Sequence, residues 1–273
     1  MKILMLIGSG ANHVTLANRL HAAVGLDGIL LRTAQTKKTV FFKRVRRAYN
    51  NRVVGRPLSQ AWSKMLQAQR EQFSDLPLDP AVTASDINAP RVIKWIADAA
   101  PDLVLVSGTN MIRQKTIDVI SRTGVILNLH TGISPYIKGG PNCTNWCLAI
   151  GRPELIGNTI MWLDSGIDSG ALVATERTTL DGSETLADLH IKVMAHAHDL
   201  YVRAALAAST GQKLPNIAQD DIAEGHTFYT RDWTHSKQRA AIRFFNSGYA
   251  TSLQKRALKT TLVDLERGHC DAE

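Results

Sequence analysis

An α/β fold is predicted: a doubly wound, mostly parallel sheet with a small C-terminal appendage. Three observations predict it. Short apolar runs alternate with stretches of helical periodicity up to about residue 208, the pattern of strands joined by crossover helices. The first apolar run ends in Gly8-Ser9-Gly10 and passes directly into a helical pattern, the usual first turn of such a sheet. The chain has 273 residues, enough for one large core and an appended segment.

Lys2 to Ile7 reads as a buried strand. Asn12 through Val24 reads as a helix, with Val14, Leu16, Leu20 and Val24 at apolar positions. Gly28 to Leu31 is a second strand, and residues 33–72 form a mostly helical, basic insertion. Leu78 to Asn88 is a loop with one short strand. Ala89 to Ala99 is a helix with Pro90 in its first turn, where a missing N–H costs little. Asp102 to Val106 is a strand that runs into Ser107-Gly108-Thr109-Asn110, and Arg113 to Arg122 is helical. Val125 to Leu129 is a strand, and Asn142 to Ile150 is a helix carrying Trp146. Thr159 to Leu163 and Leu172 to Thr179 are strands on either side of a Gly-Ile-Asp-Ser-Gly turn. Glu184 to Ala208 is a long helix. The main domain is placed at 1–208 and the appendage at 209–273, where aromatic and basic residues mix.

No uncharged apolar run reaches about 18 residues, so no helical membrane span is expected. MKILMLIGSG has one basic residue and too short an apolar stretch for a signal peptide. Three cysteines, Cys143, Cys147 and Cys270, make no disulfide framework, and a reducing cytoplasm is the expected compartment. The charge is uneven. Eleven Lys or Arg and no acid lie between Gly28 and Arg70, and the rest of the chain is slightly acidic on balance. The stretch KKTVFFKRVRRAYNNRVVGR interleaves basic and apolar residues. It reads as a solvated helix face, or as a surface for a phosphorylated substrate, a nucleic acid or an anionic membrane.

The chemistry concentrates between Val125 and Leu172. Asn128 and His130 stand one residue apart at the end of an apolar strand, so their side chains share a face. Asp168 follows in the Gly-Ile-Asp-Ser-Gly turn. An amide polarises a carbonyl, an imidazole moves a proton, and a carboxylate orients the imidazole. Together they suit acyl transfer without a nucleophilic side chain. The tetrad of an aliphatic residue followed by Asp-Ser-Gly repeats in LDSGIDSG, so Asp164 competes with Asp168. Cys143 and Cys147 lack further ligands at metal spacing, and His190, His196 and His198 do not pair at i, i+4, so no metal is expected.

The ordered set Asn-x-His, Ser-Pro-Tyr-x-x-Gly-Gly, Gly-Asn-Thr and Ile-Asp-Ser-Gly resembles the 10-formyltetrahydrofolate-dependent formyltransferases. That family includes sugar N-formyltransferases, phosphoribosylglycinamide formyltransferase and methionyl-tRNA formyltransferase. The resemblance spans roughly Met1 to Leu206 and implies a Rossmann-like catalytic domain with a folate co-substrate. It implies that Asn128 and His130 stabilise the oxyanion, that His130 helps move the amine proton, and that Asp168 holds His130 and a water. Ser107 to Ile112 resembles the folate loop, so Gly108, Thr109, Asn110, Met111 and Ile112 become donor-binding candidates. Asp164 joins them, or caps its turn.

Gly8, Ser9, Gly10 and Asn12 resemble a loop that receives phosphate at a helix N-terminus. Ser134, Tyr136, Gly139 and Trp146 are candidates for the acceptor side, Trp146 being equally at home in a core. The favoured acceptor is a small amine, the amino group of a nucleotide-linked sugar. The expectation rests on the chain's length, the basic insertion and a Gly-Gly…Trp loop like that of sugar N-formyltransferases. Phosphoribosylglycinamide is the alternative, and methionyl-tRNA ranks third because little room remains for a C-terminal barrel. Nucleic acid is the less favoured partner, and a homodimer is compatible with the sequence. A basic binding module without catalysis on the same scaffold is the rival of a different class.

Overall fold

The computed structural model describes residues 1–34, 53–140, 142–254, 260–267 and 270–272. Its centre is a seven-stranded sheet in the order β3-β2-β1-β4-β5-β7-β8. The strands are β1 (Ile3–Gly8), β2 (Gly28–Arg32), β3 (Val82–Ala84), β4 (Leu103–Ser107), β5 (Val125–Thr131), β7 (Gly157–Trp162) and β8 (Leu172–Arg177). The first five pair in parallel, and β7 and β8 join antiparallel at one edge. The sheet is therefore mostly parallel, as expected.

Alternation along β1 explains why the sheet is covered on both faces. Ile3, Met5 and Ile7 pack with Leu16 and Leu20 of α1 (Ala11–Val24) and with Leu200, Tyr201 and Ala204 of the long helix α6 (Leu186–Ser209). Leu4 and Leu6 pack on the other side, against Val92 and Ile96 of α3 (Pro90–Ala99) and Ile117 and Ile120 of α4 (Gln114–Ile120). Adjacent residues of a strand point to opposite faces, so a continuous apolar run needs two layers of helices. β4 repeats the division, with Leu103 and Leu105 in one cluster and Val104 and Val106 in the other. The chain leaves β1 for β2 and β3 on one side and returns to β4 on the other. The crevice at the carboxyl ends of β1 and β4 is thus the place where such sheets receive ligands.

Tyr201 sets the spacing of two strands that carry site residues. Its hydroxyl accepts from Val106 N at 2.7 Å and donates to Leu127 O at 2.7 Å, bridging β4 and β5. Burial raises the phenol's pKa, so the bridge is neutral. α6 begins with a capping box, in which Thr185 Oγ1 accepts from Asp188 N and Asp188 bonds back to Thr185 N.

Of the basic insertion, α2 (Arg56–Gln72) is helical as expected. Lys37, Lys38, Lys43, Arg44, Arg46, Arg47 and Arg52 lie outside the described residues. The described residues beyond 209 pack in part on the sheet edge and on α5 (Cys143–Ala149). Ala241 of α7 (His235–Ser247) and Tyr249, which opens α8 (Tyr249–Gln254), join Trp146 and Cys147 in one apolar cluster. β9 (Thr227–Phe228) pairs in parallel with β6 (Lys138–Gly139), and β10 (Thr261–Val263) pairs with β11 (Cys270–Ala272). No helix among the described residues is long and apolar enough to cross a membrane.

Candidate active site

Two connections frame a cavity of about 440 Å³ at the end of the sheet. One is the loop after β4, residues 108–112. The other is the turn between β7 and β8, residues 163–171. Asn128, Leu129 and Met161 form part of its wall, with Gly139, Asp164 and Asp168. The volume lies in the range that holds a small-molecule ligand.

β5 delivers Asn128 and His130 to one face, and the turn brings Asp168 to them. Asp168 Oδ2 lies 3.2 Å from His130 Nδ1 and accepts from Gly139 N at 3.0 Å. Asp168 Oδ1 lies 3.5 Å from Asn128 Nδ2. Gly139 has φ of 86°, and a Cβ there would run into the Phe228 carbonyl, so only glycine brings this N–H to the carboxylate.

His130 is only 7% exposed and stands behind Asp168 rather than on the cavity wall. Its Nε2 lies 3.1 Å from Ile137 O and 3.6 Å from Cys143 Sγ. Both ring nitrogens face acceptor oxygens, an arrangement that suits a doubly protonated ring. Burial works against that charge. The Asp168 carboxylate, Cys143 and the Ile137 carbonyl together outweigh it and raise the pKa from 6.5 to about 10. Burial raises the Cys143 pKa, and the thiol donates to Gly139 O at 3.3 Å.

The repeated tetrad separates by geometry. Asp164 Oδ1 accepts from Gly166 N at 2.9 Å and from Ser169 Oγ at 2.7 Å, so it caps the turn while also bordering the cavity. Asp168 alone of the two reaches His130.

Gly108, Thr109, Asn110, Met111 and Ile112 all border the cavity. Asn110 pins this loop from behind: its Nδ2 donates to Asp86 Oδ1 at 2.9 Å and its Oδ1 accepts from Ile87 N at 3.3 Å. Ile112 is buried, whereas Met111 is 54% exposed at the rim. Gly8 and Gly108 approach one another around the His13 ring, which a Cβ on Gly108 would overlap. Gly8, Ser9, Gly10 and Asn12 therefore sit beside the cavity, off its wall, with Asn12 buried.

Ser134 is buried; its N donates to Thr159 Oγ1 at 3.0 Å, and the Ser134–Pro135 peptide is cis. Tyr136 Oη accepts from Thr261 N at 3.0 Å. Trp146 is a core residue, stacked on Phe228 at 4.5 Å, with its Nε1 donating to Gly140 O at 3.2 Å. It supports the glycine loop from beneath.

Three residues near the site carry no sequence signal of their own. Cys143 and His13 lie in ordinary helical patterns, and Gln219 lies in a polar stretch. Gln219 touches the Asp168 turn through bonds treated below. Among the described residues no group of His, Cys, Asp and Glu is arranged to hold a metal.

This fold and site define a class. The chain belongs to the formyl transferase family, whose model matches residues 1–205. It is 30% identical over 142 residues to the methionyl-tRNA formyltransferase of Geotalea uraniireducens. That match covers 52% of this chain and 44% of the relative, so the chain spans less than half the length of that protein. The fold is similar to that of a sugar N-formyltransferase from Shewanella, with a TM-score of 0.57 and 12% identity over 89% of this chain and 87% of that one. It is also similar to the N-formyltransferase of Helicobacter canadensis solved with folinic acid and dTDP-3-aminofucose. There the TM-score is 0.54 and the identity 13%, over 96% of this chain and 86% of that one. At these identities the likeness is one of fold.

Proposed function

We propose that this chain transfers a formyl group from 10-formyltetrahydrofolate to the amine of a small acceptor, the amino group of a nucleotide-linked sugar. The observation that carries the reading is the meeting of the Asn128 amide and the Asp168 carboxylate on one cavity wall, backed by His130. The donor supplies an activated formyl carbon. The cavity suits its ring system, with Val106, Ile112, Met161 and Leu163 as apolar lining.

In this reading Asn128 Nδ2 donates to the formyl oxygen as negative charge develops there. Asp168 accepts the proton that the attacking amine gives up, directly or through a water, and a proton returns by the same route to N10 of the folate as the bond from N10 to the formyl carbon breaks and tetrahydrofolate leaves. His130 keeps that carboxylate oriented and balances its charge from behind, in a site with little solvent to weaken the interaction. The resemblance placed His130 nearer the oxyanion. With both ring nitrogens engaged, its field reaches the cavity through Asp168.

The amino-sugar acceptor draws support from the sugar bound in the Helicobacter structure and from a fold match that runs through the segment beyond residue 205. The phosphoribosylglycinamide alternative draws on Gly8-Ser9-Gly10 at the start of α1, beside the cavity loop. The excess of Lys and Arg between Gly28 and Arg70 supports a phosphorylated acceptor of either kind. The test is a panel of amine acceptors incubated with 10-formyltetrahydrofolate, followed by mass spectrometry. The expected product is one amino-sugar nucleotide heavier by one formyl group. Formylation of phosphoribosylglycinamide alone selects the alternative, and no product from folded enzyme with any acceptor overturns the reading.

A further inference from the structure

We propose that Gln219 is a positioning residue of the active site, holding the turn that presents Asp168 to His130. The inference rests on the assignment of Asp168 and His130 to that site. It starts from the backbone. Asp168 has φ of 48°, a left-handed conformation that few residues with a side chain adopt, Asp being among the more tolerant, and that bonds from outside the turn help to hold. Asp164 braces the first half of the turn through Gly166 N and Ser169 Oγ. Those bonds leave the carbonyls of Asp168 and Gly170 without a partner inside the turn.

Gln219 bonds both. Its Nε2 lies 2.8 Å from Asp168 O and 2.8 Å from Gly170 O. A carboxamide NH2 has two hydrogens, and here each has an acceptor. Turning the amide over would set its oxygen against two carbonyls, so the orientation is chemically determined. Gln219 is 4% exposed, and its Oε1 is buried with no hydrogen-bond partner among the described residues. The side chain is placed for its two donors.

The residues that carry Gln219 are themselves fastened to the same hairpin. Trp162 Nε1, at the end of β7, donates to Pro215 O at 2.9 Å. Leu172, at the start of β8, exchanges bonds with Ile217 of 2.7 and 3.1 Å. Positions 215, 217 and 219 thus clasp the end of one strand, the start of the next and the turn between them. All three lie beyond residue 205, where the family match ends. The turn that carries Asp168 is therefore braced by a segment outside the matched region.

The consequence is readable at His130. Asp168, Cys143 of α5 and the Ile137 carbonyl are the groups that face its ring. If the turn loosens, Asp168 Oδ2 leaves Nδ1, and the raised His130 pKa falls toward its ordinary value. The test uses the full chain. Gln219→Met keeps length and burial and removes both hydrogens. Gln219→Ala is read the same way if that variant fails to fold. In either folded variant, ring-nitrogen NMR of His130 without substrates is expected to show a pKa lower by about one unit or more. A titration identical to the parent's overturns the proposal.

In the parent, the Gln219 carboxamide protons are expected to exchange with solvent at least about tenfold more slowly than those of exposed glutamines, as buried, bonded groups do. Fast exchange overturns the proposal without any variant. With substrates, kcat is expected to fall by roughly tenfold or more while donor KM holds, the pattern of a lost transition-state interaction. The NMR and exchange readings do not depend on catalysis. If the variants show the lowered His130 pKa and the parent shows the slow exchange, yet the parent formylates nothing, the functional reading is refuted and the role of Gln219 in the turn stands.

Discussion

Replacing Asp168 by Asn keeps the shape of the side chain and removes the charge opposite His130. The two groups lie 3.2 Å apart, and the imidazole is 7% exposed, so water screens the pair weakly. Removing one partner of a buried ion pair costs about 3–5 kcal/mol, because the other charge is left uncompensated. The pH dependence follows from the direction of the shift. The folded-state pKa of His130 is raised from 6.5 to about 10. Its contribution to stability is therefore complete below pH 6.5 and is lost as pH rises through about 10. Urea unfolding of the parent and of Asp168→Asn, from about pH 6 to pH 11, measures this. The gap between the two is expected to be widest at the acid end, at about 3–5 kcal/mol, and to close toward the alkaline end. A gap that is absent, or that stays constant across the window, refutes the buried pairing.

Asn128→Ala is expected to lower kcat by about 10²–10³ with little change in donor KM, since its proposed bond strengthens as oxyanion charge develops; a change confined to KM would remove Asn128 from the chemical step. Within the repeated tetrad, Asp168→Ala is expected to abolish turnover and Asp164→Ala to weaken donor binding, and steady-state kinetics showing the reverse would exchange their roles. Tyr201→Phe strands Val106 N and Leu127 O and is expected to cost about 1–3 kcal/mol by denaturant unfolding. Replacing Lys43, Arg44, Arg46 and Arg47 together with Gln is expected to raise KM for a phosphorylated acceptor and to reduce its salt dependence, with kcat kept. An unchanged KM would leave these residues as a solvated face.

Local pattern determined the elements. In β1, and in β4 up to Ser107, every residue is apolar, and a run that must be buried on both faces has few solutions besides a sheet between helix layers. The capping Thr185 and Pro90 in the first turn of its helix mark starts that depend on neighbours in the chain. The period of two along β5 likewise put Asn128 and His130 on one face before any contact was known.

Periodicity states which residues share a face. It does not state what stands opposite. That Asn128 borders the cavity while His130, two residues on, is enclosed by Asp168, Ile137 and Cys143 depends on a turn 38 residues later, with Asp168 at φ of 48°. The tetrad repeat offered two carboxylates, of which the resemblance favours Asp168, and the path of that turn is what brings Asp168 to His130. Trp146 reads alike as a pocket wall or a core residue; Phe228 and Trp233, brought in from the far end of the chain, make it core. Gln219 was invisible because an amide in a polar stretch acquires meaning only from the two carbonyls it meets. Elements follow from short-range backbone and apolar preferences written along the chain. The site follows from hydrogen bonds and charges between distant residues, which act only over a few ångströms and therefore exist only once packing has brought them together.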